Sequence, residues 1–600
     1  SRIRLKSMEL TIDQIVLFLL IVGVFALLLW GRVRYDIVAF AALIITIITG
    51  VIPVEQAFAG FGHPATVIIA LVLVVSRGLS NSGAVEFIAR FVVSGSRTIT
   101  MHIGLMSGVG AALSALMNNV AALALLMPVD GEAAKRADRS PALTLMPLSF
   151  ATILGGMVTL IGTPPNIVVA TFRGEALGDP FTMFDFAAVG IVVAVVGVVF
   201  VSLVGWRLLP VERSRHNTRQ ELQDLTGYVA EAQVTEDATV VGNTLDQLYP
   251  LAEEYDVAVL GLIRAGRRMS GFARGRIVRT GDFVVIQGGV EFMDKFIGAA
   301  GLEYASAQKN AGVLADNQVL LEVVAPEGAR IQGRSAMSFR LAARHNSMLL
   351  GVSRQGRQFR ERIRKLKIRA GDILLLSGSE DELPDVAGWL GCLPLAERGL
   401  VGVQRKKAWL AIGLFAAAIA AATTGVVYLP VALAAAALVY VIAGLVPLSQ
   451  LYESIEWPVI VLLGSLIPIG IALESSGAAE LIAKTIIEWT DGLPVVFILI
   501  IIMVVTMTLS DMLNNVATAL IAAPIAVELA VRLEVSPDPF LMAVAVAASC
   551  AFLTPIGHKN NTIILGPGGY RFGDYWRMGL PLEVLVVAVG VPMILWVWPL

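Results

Sequence analysis

Ser114-Ala115-Leu116-Met117-Asn118-Asn119-Val120 returns 396 residues later as Ser510-Asp511-Met512-Leu513-Asn514-Asn515-Val516. Each copy sits inside an apolar stretch, 101–130 and 494–530, that is long enough for two half-depth helices and reads poorly as one span. Other matches fall at nearly the same offset. Gly50-Val51-Ile52-Pro53 with Gln56 resembles Gly444-Leu445-Val446-Pro447 with Gln450. Pro64 and Ser82-Gly83-Ala84 with Glu86 match Pro458 and Ser476-Gly477-Ala478 with Glu480. Thr159-Leu160-Ile161-Gly162 with Asn166 matches Thr554-Pro555-Ile556-Gly557 with Asn561. Four short matches at one spacing indicate a duplicated chain.

Composition says what the duplicated unit is dissolved in. Hydrophobic residues make up 56% and charged residues 15% of the 600, against about 45–50% and about 25% in ordinary soluble chains. Mean hydropathy is +0.77. The bulk of the chain therefore belongs in lipid. Of the 92 charged residues, 51 crowd into Val211–Lys407, which makes two apolar blocks around one soluble insert. A net charge of −2 gives no basic field for nucleic acid. Cys392 and Cys550 show neither metal-ligand spacing nor a disulfide framework.

Spans are expected near 14–30, 35–52, 64–79, 142–172 and 186–209, then 408–427, 430–446, 458–473, 540–566 and 580–598. The first is not followed by a cleavage site and reads as retained; Ser1–Ser7, ahead of Met8, are set aside. Arg32, Arg34, Arg90, Arg97, Lys135, Arg136, Arg139, Arg207, Arg213, Arg215 and Arg405–Lys407 flank the first block and the insert. The matching flanks of the second block carry Glu474, Glu480, Glu488, Asp491, Glu528, Glu534 and Asp538 against Lys484 and Arg532. By the positive-inside rule, one repeat position is basic once and acidic once, as inversion requires. The expected fold is a polytopic α-helical membrane protein of two inverted repeats. Each has five spans and a re-entrant hairpin, the insert is cytoplasmic and both termini are outside.

The insert repeats too. Arg279-Thr280-Gly281-Asp282-Phe283-Val284-Val285-Ile286-Gln287-Gly288 matches Arg369-Ala370-Gly371-Asp372-Ile373-Leu374-Leu375-Leu376-Ser377-Gly378, a turn followed by a buried strand in each case. Partner strands are expected at 255–263 and 346–352, with helices starting near Thr244 and Ser335. The result is two small α+β modules without a G-x-G-x-x-G fingerprint for a dinucleotide.

Irregular backbone at membrane depth is costly unless it is buried in protein or lines a cavity. Four such places occur, paired by the repeat. Two are the Asn-Asn tips. The others are broken helices at Gly162-Thr163-Pro164-Pro165-Asn166 and Pro555-Ile556-Gly557-His558-Lys559-Asn560-Asn561. Unwound backbone frees carbonyls for a hard cation such as Na⁺ and aims half-helix N-termini at an anion. Asparagine amides offer both acceptors and donors, and Ser114 and Ser510 add hydroxyls. Asp511, whose repeat counterpart is Ala115, is expected to hold a cation or a proton, or to pair with Lys559. His558 and Lys559 add positive charge for an anion. His63 reads as a capped or interfacial histidine, His102, His216 and His345 as structural or solvated, and Gly566-Pro567-Gly568-Gly569-Tyr570 as a structural turn.

These motifs resemble the divalent anion/sodium symporter family, the sodium:sulfate and sodium:dicarboxylate group of the ion transporter superfamily. The resemblance spans both membrane blocks. The Gly-Asp-strand modules resemble the TrkA-C (RCK C-terminal) domain, and a subgroup carrying two of these between its halves is similar along the whole chain. The resemblance implies membrane repeats at 8–210 and 406–600, TrkA-C-like modules at 211–303 and 304–405, and an elevator-type homodimer in a bacterial inner membrane. It implies no organic cofactor and no catalytic residues. Na⁺ would be held by Ser114, Asn118, Gly162 and Asn166, and again by Ser510, Asp511, Asn514, Gly557 and Asn561. The anion would meet Asn118, Asn119, Asn514, Asn515, Thr163, His558 and Lys559. Dicarboxylate members carry Ser-Asn-Thr at each tip. The tips here read Met-Asn-Asn and Leu-Asn-Asn, which moves the expectation towards a compact oxyanion, sulfate first, with dicarboxylate and arsenite transport as alternatives. Some TrkA-C modules bind cyclic dinucleotides, so the insert is expected to dimerise or to take such a ligand. Two other classes stand beside this one: an RCK-regulated channel, which lacks a T-V-G-Y-G-like filter here, and a transporter-derived sensor.

Overall fold

The computed structural model describes residues 10–600 except 31–32, 84–97, 138, 211–228, 237, 256, 265–266, 269–275, 288–289, 305–317, 340, 342–346, 355–356, 360–365, 380–381, 396–404 and 491. Glu86, Arg90, Arg97, Arg213, Arg215, His216, His345 and Asp491 lie outside the described residues.

The first block contains α1 (Ile12–Trp30), α2 (Tyr35–Ile48), α3 (Pro64–Asn81), α4 (Ile99–Ser114), α5 (Asn119–Arg136), α6 (Ala142–Gly156), α7 (Pro164–Leu177) and α8 (Ala187–Leu203). Each start has a local cause. α3 opens with proline at its first position, where no N–H is needed, and His63 Nδ1 caps it by accepting from the Ala65 N–H at 3.3 Å. The stretches expected as single spans over 142–172 and 540–566 are each two helices: α6 ends at Gly156 and Pro164-Pro165 open α7 after an unwound 157–163, and the second half breaks in the same way between Ser549 and Lys559.

The second block repeats this order with α12 (Arg405–Thr423), α13 (Leu429–Ile442), α14 (Trp457–Ser475), α15 (Ala478–Trp489), α16 (Val495–Met512), α17 (Asn515–Arg532), α18 (Pro537–Ser549), α19 (Lys559–Leu565) and α20 (Tyr575–Val597). The counterpart of α15 falls in 84–97, outside the described residues. Among the described residues, five helical stretches are long and apolar enough to cross a bilayer alone, and nine more are apolar but shorter.

The halves interlock reciprocally. α2 packs on α14, and their counterparts α13 and α3 pack on each other. α5 packs on α19, and α17 packs on α7. α8 packs on its own counterpart α20. Exchanging the halves leaves these pairings unchanged. One continuous apolar core runs through both blocks.

Between the blocks lie two antiparallel sheets of one design. The first has strands β1 (Val229–Val234), β2 (Ala258–Arg264), β3 (Arg267–Arg268), β4 (Phe283–Gln287) and β5 (Leu302–Tyr304) in the order β3-β2-β4-β1-β5. The second has β6 (Gln318–Val324), β7 (Met348–Arg354), β8 (Arg357–Phe359), β9 (Ile373–Ser379) and β10 (Leu393–Pro394), in the order β8-β7-β9-β6-β10. Helices α9 (Leu248–Glu254) and α10 (Val290–Ala300) cover the first sheet and α11 (Leu383–Leu390) the second, each over its own core. The Gly-Asp turns are clasped identically. Arg264 Nε donates to Asp282 Oδ1 at 2.8 Å and Arg354 Nε to Asp372 Oδ1 at 2.7 Å. The N–H of Arg279 and of Arg369 closes the respective turn at 2.8 Å. Burial raises the Asp282 carboxyl's pKa, but the bonds from Arg264 and the Arg279 N–H outweigh it and leave the group below its ordinary value. Cys392 is buried, and its thiol is pushed up to about 12.

Candidate functional site

Each Asn-Asn tip is a helix start. Asn118 Oδ1 accepts from the Val120 N–H at 2.8 Å, and Asn514 Oδ1 from the Val516 N–H at 2.9 Å. The first asparagine of each pair thus caps its helix. With the amide oxygen so occupied, its NH₂ group remains as the donor beside a positive helix end. The second asparagines differ. Asn119 is 3% exposed, and its Nδ2 lies 3.2 Å from His558 Nε2 in the other half. Asn515 is half-buried and bonds locally to the Val516 N–H.

The broken helices are stapled by one device used twice. Asn166 Nδ2 donates to the carbonyls of Met157 and Thr159 at 3.2 and 2.9 Å. Asn561 Nδ2 donates to those of Ala551 and Thr554 at 2.9 and 3.1 Å. The threonine of each unwound stretch then reaches its own half's hairpin: Thr159 Oγ1 donates to the Ala115 carbonyl and Thr554 Oγ1 to the Asp511 carbonyl. Glycine is needed at the crossings. A Cβ on Gly162 would overlap the Gly156 carbonyl oxygen, and one on Gly557 would lie 2.8 Å from both Asp511 Cα and Ser510 O.

The first tip reaches the second half's broken helix. Asn560 Nδ2 donates to the Asn119 carbonyl at 3.1 Å and to Thr152 Oγ1 at 2.8 Å. Ser149 Oγ donates to Asn561 Oδ1 at 3.0 Å. Asn560, Ser149 and Thr152 are site neighbours that sequence reasoning missed. The signal was available for two of them: hydroxyls three residues apart share a face of α6, whose one other polar side chain is Thr144.

Several buried oxygens have no hydrogen-bond partner within the protein, among them Ser114 Oγ, Thr163 Oγ1, Asn166 Oδ1 and Asn560 Oδ1 near the tips and broken helices, and Ser107 Oγ, Ser353 Oγ and Ser465 Oγ in other segments. Leaving such a group unsatisfied costs about 1–3 kcal/mol, so each calls for a physical account. Neutral hydroxyl and amide oxygens suit a hard monovalent cation.

The ionisable residues take definite places. Lys559 pairs with Glu456 at the start of α14 and not with Asp511. Asp511 Oδ1 accepts from the Leu553 N–H at 2.8 Å, and its carboxyl faces that of Glu583 on α20. Glu583 was also missed, although a carboxyl in the last apolar span is itself a signal. His558 caps α19 by accepting from the Asn560 N–H at 3.1 Å. His63 caps α3 and lies 3.5 Å from Glu175. His102 is buried against Asp130 at 2.7 Å, a structural role. The Tyr570 hydroxyl ties the Gly566–Tyr570 turn to α6, accepting from the Met146 N–H and donating to the Ala142 carbonyl. Among the described residues no group of three or more His, Cys, Asp and Glu residues could hold a multivalent metal.

A family model described as Citrate transporter (CitMHS) matches residues 25–530 and 469–600. An uncharacterized transporter of Synechocystis sp. is 30% identical over 562 residues, 92% of each chain. Sodium/sulfate cotransporter 2 of Chlamydomonas reinhardtii is 25% identical over 60% of this chain and 43% of its own length. Among solved structures, the Alcanivorax borkumensis YdaH transporter is similar at a TM-score of 0.44 and 14% identity, over 98% of this chain and 99% of that one.

Proposed function

The chain belongs to the citrate transporter (CitMHS) family, and from that premise we propose that it carries out Na⁺-coupled uptake of a small divalent oxyanion, with sulfate favoured. The observation that carries this reading is the reciprocal packing of each tip-led helix, α5 and α17, on the other half's broken helix, α19 and α7. Two helix N-termini, each led by an asparagine whose amide NH₂ is left to donate, suit an anion between them. The unsatisfied neutral oxygens of Ser114, Thr163 and Asn166, beside the Gly162 crossing, suit Na⁺. Relatives named sodium/sulfate cotransporters support the same pair of solutes. Lys559 is already paired with Glu456, so amides and backbone N–H groups replace the water of the anion.

Inversion of the halves is part of this proposal. The Gly371 turn of the second module lies against Thr562 and Leu565 of α19, and Gly131 of α5 lies near the Leu395 carbonyl, so both helices end on the insert side. In this reading the run from α18 through α19 crosses from Asp538, which binds Arg173 at 2.7 Å, to the insert side. α17 ends beside Asp538. The first hairpin therefore opens towards the insert and the second away from it, which supports a cytoplasmic insert and outside termini. The hairpins and broken helices would travel together past a scaffold of α1–α3 and α12–α14 in a homodimer, with the insert as dimerising and regulatory part.

The test is thermal stabilisation of the purified protein by sulfate, thiosulfate, succinate, citrate and arsenite, each with Na⁺ and with choline. Sulfate and thiosulfate should stabilise most, and only with Na⁺. Stabilisation by citrate or succinate but not sulfate would replace the proposed substrate. Stabilisation independent of Na⁺ would remove the coupling.

A further inference from the structure

The two halves are not chemically equivalent at their matched cation positions. In the first half Ser114 Oγ, Thr163 Oγ1 and Asn166 Oδ1 are each fully buried and bond to nothing in the protein. They belong to one neighbourhood. Thr159 Oγ1 holds the carbonyl of Ala115, next to Ser114; the Thr159 carbonyl accepts from Asn166; and the Asn166 N–H donates to the Thr163 carbonyl at 3.2 Å.

In the second half every counterpart is spoken for. Ser510 Oγ donates to the Ala548 carbonyl at 2.6 Å. Asn561 Oδ1 accepts from Ser149 Oγ. The position of Thr163 is taken by His558, whose ring bonds to Asn560 N and lies against Asn119 Nδ2. One substitution explains much of this: Ser149 supplies the donor to Asn561, whereas the matching position that would serve Asn166 is the buried Val544, which has none.

We propose that the transporter holds a single coupling-cation site, built by Ser114, Thr163 and Asn166 in the first half, and that its repeat in the second half is filled from within by Ser149, His558 and Ala548. The proposal rests on the Na⁺-coupled reading and narrows it to one site. Asp511 and Glu583, facing each other in the second half, are the competing position for a second cation.

The experiment follows the melting midpoint of the full-length protein in detergent against NaCl, with choline chloride keeping ionic strength constant. Stabilisation should rise with ln[Na⁺] above the dissociation constant at the limiting slope for one bound cation. Ser114→Ala and Thr163→Val should each raise the Na⁺ concentration at which the rise begins at least tenfold, and neither removes a hydrogen bond within the protein. Ser510→Ala should lower the melting midpoint without Na⁺, since it breaks the bond to Ala548, and shift that Na⁺ concentration less than twofold. A limiting slope for two bound cations that falls to the slope for one in Asp511→Asn would overturn the single site by adding a second at the carboxyl pair. An equal loss of Na⁺ affinity in Ser510→Ala and Ser114→Ala would overturn it by restoring equivalence. No response of the wild-type protein to Na⁺ would instead overturn the Na⁺ reading on which the proposal stands.

Discussion

Asn118 and Asn514 each do two jobs with one amide. The oxygen caps a helix, and in the proposed function the NH₂ group donates to the anion. Asn118→Ala or Asn514→Ala should therefore cost about 1 kcal/mol of stability from the lost cap and, separately, weaken anion binding by roughly tenfold, about 1.4 kcal/mol. Aspartate at either position should restore the cap and not the anion, because it accepts but does not donate. Measuring the melting midpoint and sulfate affinity of the Ala and Asp variants separates the two contributions. The sequence singled out these residues because polar pairs inside apolar runs are costly. It did not reveal which atom of each amide was already committed, because that depends on the backbone turn. Lys559 shows the same limit. Its charge was legible, but its partner Glu456 lies 103 residues away, and Asp511 was nearer in the chain.

At the level of elements, the two interruptions were legible because proline and glycine stop a helix whatever surrounds them. The staples were not, since Asn166 and Asn561 act only once the chain has turned back on itself. Gly162→Ala should displace α7 against α6, because its Cβ would overlap the Gly156 carbonyl; transport should be lost even if the protein still reaches the membrane. Gly104→Ala, where a Cβ would lie 3.5 Å from Ser202 Oγ, should transport at close to the wild-type rate and serves as the control. In the insert, the Arg264–Asp282 clasp carries a pH signature. The Asp282 carboxyl titrates below its ordinary value in the folded module, against about 3.9 for an unfolded chain. Its contribution is thus fully present above about pH 4 and fades as pH falls through the lower native pKa. Asp282→Asn should lower the insert's stability by roughly 1–3 kcal/mol at neutral pH and flatten that acid dependence, read by circular dichroism across pH 2–6.

For the whole molecule, the duplicated design was plain in the sequence, from the Asn-Asn tips outward. The insert's duplication was equally plain from its two Gly-Asp turns, and the sheets share one strand order. What the sequence did not reveal is that α5 packs on α19 and α17 on α7, with the first tip's Asn119 bonded to Asn560 of the other half. Pairwise contacts between distant segments are set by packing and leave no local pattern. The same packing separates the halves chemically, since Ser149 satisfies Asn561 and Val544 leaves Asn166 unsatisfied. The central claim is that this arrangement moves an oxyanion with Na⁺. Its most direct measurement is uptake of radiolabelled sulfate into proteoliposomes holding the full chain, with an inward Na⁺ gradient or with choline on both sides. The account predicts accumulation above equilibrium that requires the Na⁺ gradient and is lost in Asn118→Ala. Sulfate accumulation that ignores the gradient, or no sulfate uptake at all from active protein, would contradict it.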